Sequence, residues 1–331
     1  MTTRERYKGI MSFQKPDRPP IIEWAIWWDK TIDRWREEGL PGNLETSQDI
    51  MEHLGLDVHK QIWLQTIDYS KVVQLGHGEG FLEELTVECY EKIRPHILPK
   101  DVVKWAKNDM DIWKIKQQEE GALVWLTLDG FFWFPRKLMG IESHLYAFYD
   151  APELMHRMNQ DLLAFVLGTL EEFCETLTPD FVMFTEDMSY NHGPMISEEL
   201  FNEFMAPYYS RLVKKTRELG IDVIVDSDGD VTKMIPWFEN LGIDGILPLE
   251  RQSGVDVVAL REKHPKLRMI GGFDKMVMNQ GEAAMRKEFQ RLLPVIKQGG
   301  FVPSCDHQTP PQVSLEDYRL YVSLLKEYCL K

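Results

Sequence analysis

The chain has 331 residues, with 38 Lys and Arg against 53 Asp and Glu, so its formal net charge is −15. Hydrophobic residues make up 44% and charged residues 27%, which supports a large folded core and excludes a disordered chain. The acidic excess excludes nucleic acid and anionic membrane surfaces as partners, because both demand a clustered basic face.

No apolar run approaches the ~18 residues of a membrane span. The start, Met1-Thr2-Thr3-Arg4-Glu5-Arg6-Tyr7, has no apolar stretch of the kind a signal peptide needs. Cys89, Cys174, Cys305 and Cys329 form neither a C-x-x-C pair nor a disulfide framework. Together these features predict a soluble, cytoplasmic protein.

Thr2-x-x-Glu5 is a capping box that opens a short helix toward Phe13, and Pro16-Asp17-Arg18-Pro19-Pro20 ends it. Ile21-Ile22-Glu23 is a first strand candidate, and a second is placed near Leu85-Val87. Between them lie aromatic helical segments and a turn at Gly76-His77-Gly78-Glu79-Gly80, whose glycines mimic an S-adenosylmethionine loop but fit a hairpin better. Beyond Gly121 the pattern is regular. Leu123–Leu128 reads as a strand, and the helix after Pro152 repeats Leu154, Met158, Leu162, Phe165, Val166, Leu170 and Phe173 at helical spacing. Phe181-Val182-Met183-Phe184 is the next strand, and Ser197 caps a helix whose first turn carries Glu198 and Glu199. Strands at Val223-Ile224-Val225, Ile246-Leu247, Met269-Ile270 and Phe301-Val302 then alternate with helices from Thr232, Val255, Glu282 and Leu315.

Such alternation predicts a parallel sheet, since parallel neighbours need crossover helices. Eight βα units predict an α/β fold, a single (β/α)8 TIM barrel over residues 1–331 with its site at the carboxyl ends of the strands. Residues 1–120 are expected to form an N-terminal extension with the first strands and a lid, and residues 121–331 the regular units.

Carboxylates collect at those strand ends: Thr185-Glu186-Asp187, Asp226-Ser227-Asp228-Gly229, Pro248-Leu249-Glu250, Gly271-Gly272-Phe273-Asp274 and Pro303-Ser304-Cys305-Asp306-His307. One Asp at a βα junction is explained as a helix cap. Five ends converging on one mouth would repel one another unless a cation or shared protons relieved them. Asp226, Asp228, Glu250, Cys305 and His307 offer oxygen, sulfur and nitrogen ligands that suit zinc. The reading without metal has a carboxylic acid of raised pKa as general acid–base, with Glu186, Asp228 and His307 as the catalytic candidates. Trp24, Trp27, Trp28, Phe131, Trp133 and Phe134 are either walls for a flat substrate or ordinary core.

The stretch Glu186-Asp187-Met188-Ser189-Tyr190-Asn191-His192-Gly193-Pro194-Met195-Ile196-Ser197, followed by Asp226-Ser227-Asp228-Gly229, Gly271-Gly272-Phe273-Asp274-Lys275 and Asp306-His307, resembles the uroporphyrinogen decarboxylase superfamily. Arg4-Glu5-Arg6 with Lys15-Pro16-Asp17-Arg18-Pro19-Pro20 resembles that superfamily's opening segment. The resemblance implies a (β/α)8 barrel of one of two branches. One branch decarboxylates uroporphyrinogen without a cofactor and carries an Arg-rich motif after its first strand. Here that place reads Ile22-Glu23-Trp24-Ala25-Ile26-Trp27-Trp28-Asp29, which is poorly suited to a polyanion. The other branch moves methyl groups between a small donor or acceptor and a separate corrinoid protein, generally with zinc held by His-x-Cys and a final Cys. Asp226-x-Asp228 stands where His-x-Cys is expected, while Cys305 lies near the final ligand. Asp57-x-His59 is similar to a corrinoid-binding motif but has Ile62 in place of its glycine, so the corrinoid is assigned to the partner.

The expectation that follows is a corrinoid-dependent methyltransferase acting on a small aromatic methyl ether. Trp24, Trp27, Trp133, Tyr190 and His192 are its substrate-binding candidates, and a homodimer is compatible with the reading. The alternatives are a decarboxylase-like lyase acting on a small carboxylate and a catalytically silent binding barrel.

Overall fold

The computed structural model describes residues 1–72, 74 and 80–331, so most of the stretch read as a turn at Gly76 to Gly80 lies outside the described residues. Its strands are β1 His59–Trp63, β2 Leu123–Asp129, β3 Phe181–Thr185, β4 Ser189–Tyr190, β5 Gly193–Pro194, β6 Asp222–Asp226, β7 Gly245–Leu247, β8 Arg268–Phe273 and β9 Phe301–Cys305. A parallel, seven-stranded sheet runs β1-β2-β3-β6-β7-β8-β9, and β4 and β5 form a separate antiparallel hairpin. The fold is α/β, with the parallel sheet curled in the manner of a TIM barrel. No helix of the described residues is long and apolar enough to cross a membrane.

Strand parity sorts the core into two layers, because successive side chains point to opposite faces. Leu123 and Trp125 of β2, Phe181 and Met183 of β3, Ile224, Leu247, Ile270 and Val302 form one buried cluster inside the curl. Their sequence neighbours Val124, Leu126, Val182, Phe184, Val223 and Val225 belong to a second core shared with the helices. The helix Thr3–Met11 plugs the inner cluster with Tyr7, Ile10 and Met11, and its capping box of Thr2 and Glu5 is present. Tyr7 stacks on Phe181, Phe181 on Trp125, and Trp125 on His59, at centroid separations of 5.2, 5.3 and 5.7 Å.

Two strand expectations are corrected. Ile21-Ile22-Glu23 is extended but joins no ladder. Pro19 and Pro20 lack N–H donors, and the Ile21 N–H is taken by the Asp57 carboxylate at 2.9 Å. The segment nevertheless bridges the two ends of the sheet. The Glu23 carbonyl meets His59 Nε2 of β1 at 3.0 Å, while its carboxylate accepts from Ser304 Oγ of β9 at 2.8 Å. The strand expected near Leu85-Val87 is instead a helix, Val87–Ile93, whose start is capped by the Thr86 hydroxyl. The strand actually in that part of the chain is β1, whose inward residues His59 and Gln61 are polar and give no apolar alternation to read. The other expected strands stand where the pattern places them, and the helices expected from Thr232 and Val255 begin at Ile235 and Val257.

Glu23 is 2% exposed, and its carboxylate also accepts from Tyr318 Oη at 3.1 Å. Burial pushes its pKa up to about 7, against the opposing pull of the Ser304 and Tyr318 hydroxyls. A folded-state pKa above the unfolded value means tighter proton binding in the folded chain. The resulting stability is complete below the unfolded pKa and is lost as pH rises through 7. Chemical denaturation at pH 5 and pH 8 should therefore show a loss in the wild type that Glu23→Gln reduces, on the order of 2 kcal/mol. An identical pH dependence in the variant would contradict this.

Candidate functional site

The chemistry-bearing residues sit on the loops that leave β6, β7 and β9. Asp228 Oδ2 lies 3.4 Å from His307 Nε2. Ligand atoms of Asp228, Glu250 and His307 all lie within 4.8 Å of one another. Glu250 is held by the Gly229 N–H at 3.0 Å and by Lys275 Nζ at 3.3 Å. The β4–β5 hairpin packs directly on this group: the Asp230 N–H donates to the Tyr190 carbonyl at 2.9 Å, and Ser189 Oγ donates to the Asp228 carbonyl. Gly229, at φ +84°, permits that approach, because a Cβ there would stand 2.8 Å from the Tyr190 backbone.

The local field is strongly negative. The Asp228 carboxylate raises the pKa of His307, and burial and Lys275 partly oppose it. Burial raises Asp187, with further contributions from Asp228 and Glu250 that Arg136 offsets. Burial likewise holds Asp226 well above the ordinary carboxylate range, reinforced by Asp228, Asp187 and Glu250. Asp228 Oδ1 is buried and has no hydrogen-bond partner among the described residues. Each of these features marks a place where added positive charge is stabilised.

Of the five metal-ligand candidates, three converge and two do not. Cys305 is 2% exposed and belongs to the core shared with the helices; its thiol pKa is raised by burial and by Glu23. Strand parity turns its side chain away from the mouth, while His307 lies beyond the strand end. Asp226, in register with Thr185 at the end of β6, stands outside the group but feels its field, since Asp228, Asp187 and Glu250 add to the rise that burial gives its pKa.

Burial pushes the pKa of Glu186 up to about 7, against the hydrogen bonds that its carboxylate accepts. Its fully buried carboxylate accepts the N–H groups of Phe131, Phe132 and Trp133 at 2.9, 2.7 and 3.1 Å, together with the Tyr209 hydroxyl. It thereby caps the turn entering the helix Trp133–Met139. A Cβ on Gly130 would collide with this carboxyl.

The aromatic candidates also divide. The Trp24 ring meets His307 edge-on at 6.1 Å, and its Nε1 donates to the Cys305 carbonyl at 2.8 Å. Trp27 is core, packed on Trp35 and Tyr318 at 5.3 and 5.5 Å. Trp133 is half-buried, with the Arg136 guanidinium 4.8 Å from its ring centre. Tyr190 and His192 are exposed on the hairpin, 5.8 Å apart.

Sequence reasoning missed the organising role of Asp306 and the charges of Arg136 and Lys275. Asp306 is fully buried and accepts the Arg251 N–H at 2.9 Å and the Lys275 N–H at 3.1 Å, so it ties the loops after β7 and β8 to β9. Burial pushes its pKa up to about 6. The signal was its place beside His307, but only geometry separates a bracket from a ligand. Arg136 Nη1 donates to the Asp187 carbonyl and carboxylate at 2.8 and 3.1 Å.

One imidazole and two carboxylates suit zinc or a harder divalent ion, without sulfur. Glu186→Gln should separate framework from chemistry, because it turns an amide N–H toward backbone donors. It is expected to cost about 1–3 kcal/mol of stability by denaturant titration. Divalent-metal affinity of the folded variant, followed by calorimetry, should be unchanged; a parallel loss of metal would return Glu186 to the site.

Several solved structures share the architecture. The YdhT protein from Bacillus subtilis aligns at 11% identity and a TM-score of 0.50, covering 95% of this chain and 88% of its own. A Listeria monocytogenes protein, assigned provisionally as a vitamin-B12 independent methionine synthase, aligns at 14% identity and a TM-score of 0.48, covering 94% and 97%. The 3-keto-D-glucoside 4-epimerase YcjR from E. coli, in its apo form, aligns at 14% identity and a TM-score of 0.45, covering 75% and 96%. These are likenesses of fold alone. No curated protein sequence matches the chain. Residues 134–328, more than half of the chain and including Asp228, Glu250 and His307, match uroporphyrinogen decarboxylase (URO-D), and the chain belongs to that family.

Proposed function

We propose that this barrel is a methyltransferase that moves a methyl group from a small aromatic methyl ether to a corrinoid held by a separate protein. The observation that carries the reading is the convergence of Asp228, Glu250 and His307 beside the indole of Trp24. The unpartnered, buried Asp228 Oδ1 and the crowded carboxylates fit a divalent cation, which those three residues would hold. Zinc, when bound, supplies Lewis acidity that lowers the cost of an ether oxygen's departure.

The chain's own residues fix the remaining geometry. Lys275 holds Glu250, Asp228 orients His307, and Trp24 offers an aromatic edge beside them. Trp133, Tyr190 and His192 stand on neighbouring loops as further contacts for substrate or partner. The His59 nitrogens face the carbonyls of Asp57 and Glu23 at 2.7 and 3.0 Å, and its ring stacks on Trp125. That ring is spoken for, which supports placing the cobalt on another protein.

True decarboxylation of uroporphyrinogen is disfavoured. Where an Arg-rich grip is expected, the chain has the buried Glu23, Trp24 and the core residue Trp27. Incubation with uroporphyrinogen should yield no coproporphyrinogen above background; robust product would overturn the choice of branch.

Metal analysis joined to single-turnover transfer from an aryl methyl ether to cob(I)alamin tests the proposal. About one divalent ion per chain is expected. Asp228→Ala and His307→Ala should each weaken its binding by at least about 100-fold and abolish transfer. Thermal midpoints of the metal-free proteins should be unchanged, since neither substitution opens an apolar cavity. Asp228 caps no helix here; the Asp230 carboxylate takes the Thr232 N–H at 3.0 Å. Full transfer by a metal-free variant, or carbon dioxide release from a small carboxylate in its place, would contradict the reading.

A further inference from the structure

A cavity of about 290 Å³ opens between the extended segment through Glu23 to Ile26 and strand β1. Its walls include Trp24, Ile26, Met51, Gln61, Trp63 and Trp125. Three indoles on one small cavity is a concentration of ring surface that ordinary packing would have closed. Ile26 and Trp63 are 51% and 48% exposed, so two large apolar side chains stand in water at this cavity.

The charged groups around the cavity are already engaged. Lys60 Nζ is paired with Asp109 at 3.1 Å, and the Glu23 carboxylate is turned to Ser304 and Tyr318. Both His59 nitrogens face main-chain carbonyls. Gln61 Nε2 donates to Thr127 Oγ1 at 2.9 Å, so its amide oxygen is free to accept a hydrogen bond; Ser47 and Gln48 add further polar groups to the wall, and Trp125 Nε1 has no partner among the described residues. No uncompensated charge faces a ligand, and an ionised ligand would lose its hydration without recompense.

Size narrows the occupant further. A dry cavity of about 150 Å³ takes benzene, so 290 Å³ takes one substituted ring and is far too small for a tetrapyrrole. Trp24 connects this space to the carboxylate–imidazole group, because the same indole that lines the cavity meets His307 at 6.1 Å.

We infer that this cavity seats the substrate's ring, and that the ring is a single, planar, uncharged aromatic with a hydrogen-bond donor such as a phenol hydroxyl. The inference rests on the methyl-ether reading for its place in the reaction, while the binding itself is testable alone. The ring lies against Trp24 and Trp125 with its donor toward Gln61, and its methyl ether is directed past Trp24 toward Asp228, Glu250 and His307.

Guaiacol (2-methoxyphenol) is the probe, titrated by calorimetry and by saturation-transfer NMR into the full-length protein, with 4-methoxybenzoate as the charged comparison. Saturable guaiacol binding is expected, at least about tenfold tighter than that of the benzoate. Ile26→Arg and Trp63→Ala, both at exposed positions, should each weaken guaiacol by about tenfold and leave divalent-metal affinity within about twofold. Asp228→Ala should do the reverse. Absence of saturable binding, equal affinity for the benzoate, or loss of guaiacol in Asp228→Ala but not in the two lip variants would overturn the assignment. Undiminished methyl transfer in both lip variants would also remove the cavity from the reaction, leaving the methyltransferase reading intact. Guaiacol binding as expected without methyl transfer in the wild type would fell that reading and leave the cavity standing.

Discussion

Mutual repulsion among carboxylates at one end of the sheet is the constraint around which this molecule is built. Asp228 and Glu250 are close enough to raise the pKa of Asp187, and all three raise that of Asp226. Two like charges 4 Å apart cost about 4 kcal/mol at an effective dielectric of 20, so the group persists only with compensation. Arg136 stands on Asp187, Lys275 on Glu250, and His307 on Asp228. Asp228 Oδ1 is left without a partner among the described residues, and a cation bound there would relieve the group most.

The acidic residues divide by what they receive. Glu186 takes three backbone N–H groups and Asp306 takes two, so each ties loops together. Asp228 and Glu250 instead approach one another and an imidazole. A carboxylate filled by fixed main-chain donors holds loops in place; one that faces an imidazole and a second carboxylate offers oxygens to a cation. By bridging the loops after β7 and β8 to β9, Asp306 also sets where Glu250 and Lys275 can stand. Framework and chemistry are therefore mechanically coupled.

Most of the fold was legible because the second half of the chain is regular. Leu123 through Leu126 and Phe181 through Phe184 are apolar at both parities, as strands buried on both faces must be. The first half resisted for a physical reason. The sheet closes there through the side chains and carbonyl of Glu23 and His59 instead of a ladder, and β1 carries polar residues inward. No local pattern announces such a seam. The candidate site was legible as a zone, since strand ends share one mouth, and Asp228, Glu250 and His307 meet there. The individual roles were not. Cys305 and His307 are two residues apart, yet strand parity sends the thiol into the helix-side core, and Glu186 and Asp187 differ equally sharply across one peptide bond.

Asp228, Glu250 and His307 would hold a metal through oxygen and nitrogen donors alone, with the thiol of Cys305 excluded. X-ray absorption spectroscopy of the zinc-loaded protein tests it most directly. A shell of nitrogen and oxygen neighbours at about 2.0–2.2 Å is expected, including the scattering of one imidazole and no sulfur. A zinc–sulfur distance of about 2.3 Å would contradict it, because it would bring Cys305 or another thiol to the mouth.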